Sequence, residues 1–198
     1  MKKIIWVLLG ALSITQVYCA KPLSPQTPCG FVQNSEGQRV SWKAMTPIKF
    51  YVDSSVPTQY QAAIQNAMNT WEKIIGRKVF VIAGTSTSSP GQDGQNGIYW
   101  LSTWDSTAPD QQANTTLYWA DNQVTEADIR VDAKNFSYSV DPGSAQVDIE
   151  SLFLHELGHV LGRKHEDSVP SVMAKALPDG LIRRTPFPAD VDDIKCEY

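Results

Sequence analysis

Apolar residues recur at intervals of three and four over Tyr60, Ala63, Ile64, Ala67, Met68, Trp71 and Ile75. With 3.6 residues per turn, that spacing puts them on one face of a helix. Pro57 can sit in its first turn and Gly76 stops the run. The aromatic stripe on this face reads as core, because packing is what such stripes usually do. Elsewhere the pattern is short and β-like. Residues 40–52, 78–83, 98–104, 115–121 and 127–131 read as strands, with Pro47 marking an edge or irregularity and a turn at Asn122-Gln123. The stretches 84–97 and 139–147 are polar loops with little to bury. A second helix begins near Asp148, which suits an N-cap, and runs to Gly162. A loop, an irregular stretch to Pro188 and a short helix from about Asp190 complete the chain. There is no internal repeat. Strands first and helices later predict an α+β domain.

The N-terminus follows a different pattern. Lys2 and Lys3 precede an apolar run over 4–17 that is too short, and wrongly flanked, for a stable membrane span. Residues 1–19 therefore read as a signal peptide cleaved near Ala20, with a retained anchor as the alternative. The bulky Tyr18 argues against lipid attachment at Cys19. Residues 20–38, rich in proline and small polar residues, read as a short extended leader rather than a folded prodomain. That leaves 39–198 as one domain. The whole chain of 198 residues suits one domain plus export signals and can bury a core without obligatory disulfides.

Composition adds two points. The formal net charge is -4, with 19% charged residues, so there is no general electrostatic pull toward nucleic acid or anionic membranes. Neither is expected as a partner once the signal is removed, and a monomer is expected. Of three cysteines, Cys29 and Cys196 remain after Cys19. In an exported chain, two cysteines near opposite ends suggest one disulfide tying the termini.

The candidate chemistry lies in residues 155–165, HELGHVLGRKH. His155 and His159 are four apart, which on a helix is about 40° of rotation and about 6 Å of rise, so both imidazoles leave one face. Two neutral nitrogens can share one zinc ion. If the helix ran on, His165 would sit about 15 Å along the axis from His155, so the chain must turn back to bring in a third ligand. Gly162 is placed for that turn, because glycine accepts the left-handed conformation that ends helices. Glu156 projects beside the metal face and can serve as general base toward a zinc-activated water. Three histidine ligands leave a fourth position open, as a catalytic zinc requires. All three histidines of the chain fall in this motif.

At these residues the chain resembles the metzincin metallopeptidases, and among them the matrixins, especially exported microbial members. Ser171-Val172-Met173, whose methionine is eight residues beyond His165, resembles the family's Met-turn, with Met173 as an apolar floor beneath the zinc. The closing segment 190–198 resembles the start of the C-terminal helix, and 125–129 resembles a segment that precedes a strand in microbial relatives. The resemblance covers roughly 39–198. It implies a twisted five-stranded, mostly parallel mixed sheet with three helices and zinc in a cleft. It also implies a secreted zinc endopeptidase acting on a peptide or protein substrate. The substrate would lie extended along an antiparallel edge strand, here 115–121, with a pocket wall from 174–188.

The chain departs from the family in three ways. No histidine remains for the second, structural zinc of animal matrixins, so one zinc is expected. Calcium sites among surface aspartates stay open but are assigned to no residue; Asp93, Asp121 and Asp132 by themselves read as solvated. The leader is too short for the usual prodomain. Pro28-Cys29-Gly30 nonetheless resembles a cysteine switch, in which a leader thiolate takes zinc's fourth position. Cys29 thus has two readings, a disulfide to Cys196 or a block on the metal, and the latter would make the chain a latent or non-catalytic zinc- and peptide-binding protein. Arg183-Arg184 reads as a solvated loop, with a processing site or substrate contact as alternatives. Asn114 and Asn135 lie in sequons that carry meaning only in a glycosylating host.

Overall fold

A computed structural model describes residues 24–43 and 47–198. The expected signal peptide, Cys19 and the first residues of the leader lie outside them. Along the chain come β1 (Ile48–Asp53), a 3-10 turn (Thr58–Tyr60), α1 (Gln61–Ile75), β2 (Phe80–Ser86), β3 (Asn96–Leu101) and β4 (Ala113–Ala120). Then follow β5 (Gln123–Asp132), the short pair β6 (Tyr138–Ser139) and β7 (Val147–Asp148), α2 (Ile149–Val160) and α3 (Pro188–Glu197). The five longer strands form one sheet in the order β2-β1-β3-β5-β4. Neighbours are parallel except β4, which runs antiparallel to β5 and forms one edge. The expected five-stranded mixed sheet with three helices is the fold observed.

The periodicity of α1 does what its spacing predicts. Ala63, Ile64, Ala67, Met68 and Trp71 are buried, and Gly76 ends the helix in the left-handed region at φ 81°. Trp71 is wholly buried, and its indole nitrogen donates to the Leu154 carbonyl of α2 at 2.8 Å. That satisfies the one polar atom of a large apolar side chain and locks α1 against the helix bearing the histidines. α2 carries apolar residues on nearly every side because it is buried almost throughout, between α1 and the sheet. No helix among the described residues is long and apolar enough to cross a membrane.

Three local expectations differ from the structure. The strand expected over 40–52 is confined to Ile48–Asp53; Ser41 instead makes an isolated bridge to Gln123. Residues 24–38, expected as extended leader, lie folded against the domain. Phe31 is buried and bridges Arg163, Val32 donates to the Gly162 carbonyl and Lys164 to the Gly30 carbonyl, each at 2.8 Å. The physical cause is Phe31, whose ring loses water contact only by docking on the body. Lastly, the loop read over 139–147 is bracketed by the two-residue ladder of β6 and β7.

Cys29 and Cys196 are disulfide-bonded, with Cα atoms 6.4 Å apart. Arg39 and Glu197, 3.0 Å apart, add an ion pair between the same two segments. The bridge spans 167 residues of sequence. Closing so long a loop removes on the order of 5 kcal/mol of chain entropy from the unfolded state in the simple model.

Candidate metal centre

The site is built from the N-terminus of α2 onward. Asp148 caps the helix by accepting from the Ser151 backbone at 2.8 Å, as its position in the sequence predicts. His155, Glu156 and His159 then follow on α2. The helix ends at Val160, and Gly162 reverses the chain at φ 96°. A Cβ there would stand 2.2 Å from the Val40 carbonyl oxygen, so both conformation and space demand glycine. The reversal brings His165 back to the other two. His159 Nε2 lies 3.0 Å from His155 Nε2 and 3.2 Å from His165 Nε2.

The outer ring nitrogens explain why those three atoms converge. His155 Nδ1 is 2.9 Å from the Val172 carbonyl and His159 Nδ1 is 2.7 Å from the Arg163 carbonyl. A carbonyl only accepts, so both Nδ1 atoms carry protons and both Nε2 atoms present lone pairs. Burial, the neighbouring histidines adding to it, pushes the His155 pKa down to about 3. Burial also lowers the pKa of His159 and of His165. Neutral imidazoles with unprotonated nitrogens near 3 Å repel one another unless a cation lies among them. A tetrahedral zinc with bonds of about 2.0–2.1 Å needs ligand nitrogens about 3.3 Å apart, close to the separations seen. The donor set and its spacing therefore fit a zinc ion.

Glu156 is 4% exposed, and burial pushes its carboxyl up to about 7, opposed by a hydrogen bond from Thr115. Thr115, on the edge strand β4, donates to Glu156 Oε2 at 2.6 Å. The histidines and Glu156 open onto a cavity of about 880 Å³, bounded by β4 and by residues 175–178. Its size suits an extended ligand.

Met173 is fully buried, and its sulfur approaches Gly158, on the helix between His155 and His159, so closely that a Cβ there would lie 2.3 Å away. The turn that holds Met173 hangs from Asp190 of α3. That carboxylate accepts from Ser171 Oγ at 2.5 Å, Val172 N at 3.0 Å and Phe187 N at 2.8 Å. Arg163, buried beside it, donates to Asp190 at 2.6 Å and to Asp193 at 2.6 Å. The carbonyl of this same Arg163 receives His159 Nδ1. One polar network therefore orients a histidine and fixes the methionine turn.

The structure brings together His155, Glu156, His159, Gly162, His165 and Met173, all singled out from the sequence. Cys29 is not among them. Its sulfur is bonded to Cys196, so it has no thiolate to block a metal, and the switch-like reading of Cys29 is corrected. The solvated reading of Arg183-Arg184 is corrected as well. Arg183 donates to the Ala174 and Ala176 carbonyls at 3.2 and 2.9 Å, and Arg184 pairs with Asp148. Together they pin the 174–188 segment to the start of α2. Asp132 is wholly buried rather than solvated, accepting from the backbone of Lys134 and Asn135. Sequence reasoning missed Thr115, Gly158, Arg163 and Asp190. Only Gly158, a glycine inside a helix, left a local signal of close approach.

Fold and site together set three converging histidines, a donor set able to hold a metal ion, beside a buried carboxylate and an antiparallel edge strand. A family model described as Matrixin matches residues 41–196. The chain belongs to the matrixin family of zinc-dependent peptidases. No curated protein gives a significant match.

Proposed function

We propose that this protein is an exported zinc endopeptidase in which His155, His159 and His165 hold one zinc ion and Glu156 is the general base. The observation that carries the reading is the convergence of three histidine Nε2 atoms beside a buried carboxylate in an open cleft. Bound zinc supplies Lewis acidity, making water nucleophilic near neutral pH and polarising the scissile carbonyl. The chain's own groups do the rest. His155 and His159 keep their lone pairs directed inward because Val172 and Arg163 hold the opposite nitrogens. Glu156 takes a proton from the attacking water and passes it to the leaving amine.

The free edge of β4 receives the substrate by backbone pairing, which suits an extended peptide of varied sequence. Leu152, Ala176 and Leu177 make the adjoining cavity partly apolar, favouring an apolar side chain next to the cut bond. Export, with removal of 1–19, is supported by the disulfide, which persists in oxidising compartments. A digest of a peptide library by zinc-loaded protein tests the reading. Cleavage is expected, lost with a chelator and restored by zinc; cleavage that survives complete zinc removal would contradict it.

A further inference from the structure

Thr115 occupies a position that the general chemistry of the motif does not require. It lies on β4, paired with Ile129 of β5, and its hydroxyl reaches across to α2. Two acceptors on Glu156 are within range, the carboxylate Oε2 at 2.6 Å and the backbone oxygen at 3.3 Å. A hydroxyl has one proton, and the shorter contact to the charged acceptor is the stronger. Among the described residues, no other group donates to that carboxylate. The second carboxylate oxygen has no hydrogen-bond donor among the described residues. The donor itself is well fixed. Threonine is stiff at χ1, and β4 is held along its length by β5. Valine would fill the same volume and suits a strand equally, so packing alone does not explain a hydroxyl here.

We propose that Thr115 is a positioning residue that clamps one oxygen of the Glu156 carboxylate and so presents the other to the reacting water. The inference rests on Glu156 being the base. Glutamate has three side-chain torsions, and without the clamp its carboxylate samples rotamers that miss the water. Placement errors near 1 Å cost on the order of 100-fold in rate.

The test compares full-length zinc-loaded wild type with Thr115→Val, which keeps the shape, and Thr115→Ser, which keeps the hydroxyl. For Thr115→Val, kcat is expected to fall about 10–100-fold with KM within about twofold. Zinc content and melting temperature stay at wild-type values, and Thr115→Ser recovers kcat to within about threefold. A crystal structure of zinc-loaded Thr115→Val should show the Glu156 carboxylate turned or split between rotamers while the three histidines stay in place. The role is overturned if Thr115→Val keeps wild-type kcat, if Thr115→Ser is as impaired as Thr115→Val, or if the loss tracks zinc content. A zinc-loaded wild type that leaves every peptide intact overturns the peptidase reading and the Thr115 role with it. An active wild type beside an undiminished Thr115→Val overturns the role alone.

Discussion

On the proposed mechanism, Glu156→Gln is expected to retain one zinc per chain and to lose peptide cleavage by about a hundredfold to ten-thousandfold, the usual span for removing a positioned base. The amide has nearly the shape of the carboxylate and can still take the Thr115 hydrogen bond, so the fold and the three histidines are unaffected. What it lacks is the proton acceptor that the proposed mechanism assigns to Glu156. Steady-state kinetics on a fluorogenic peptide, paired with metal analysis, measures both parts. A variant that cleaves at the wild-type rate would remove Glu156 from the mechanism. A variant that loses its zinc would show a structural effect instead.

The second large effect is on stability. Asp190 accepts four hydrogen bonds at zero exposure, including one from the buried guanidinium of Arg163. Asp190→Ala leaves the Arg163 cation with only the partly exposed Asp193 as counter-charge and strands two backbone donors, a loss at the lower end of the about 3–5 kcal/mol that breaking a buried pair costs. Against a typical total of about 5–15 kcal/mol, that is a large share. The neighbouring Asp192 is exposed, and Asp192→Ala should change stability by less than about 0.5 kcal/mol. Urea titration of both variants checks the contrast. Equal, small losses would mean that the network under the methionine turn contributes little.

These two variants also mark what was legible in the sequence. HELGHVLGRKH fixes its own geometry through local rules: helix pitch places His155 and His159 together, and Gly162 supplies the reversal that brings in His165. The α1 face was legible for the same reason, since its period is read from neighbours in sequence. Strands 115–121 and 127–131 were found within a few residues of β4 and β5, but that the first of them is the antiparallel edge came from the family resemblance and not from its pattern. Asp190 was seen only as part of a helix, because its partners lie far away along the chain: Arg163 is 27 residues distant. Thr115 and Glu156 are 41 residues apart, and nothing in either neighbourhood announces the contact. Residues 24–38 were misjudged for a related reason. Their proline-rich composition describes the local chain well, but one apolar ring, Phe31, and one disulfide decide where it goes. Arg183 and Arg184 looked like a free dibasic pair until the carbonyls and the Asp148 carboxylate that engage them were in place.

The most direct test of the account is the metal content of the folded protein, read by native mass spectrometry on wild type and on His159→Ala. One zinc per wild-type chain and none on the folded variant is the predicted result. A wild-type chain that binds no zinc, or a variant that keeps it, would contradict the claim that these three histidines hold the metal.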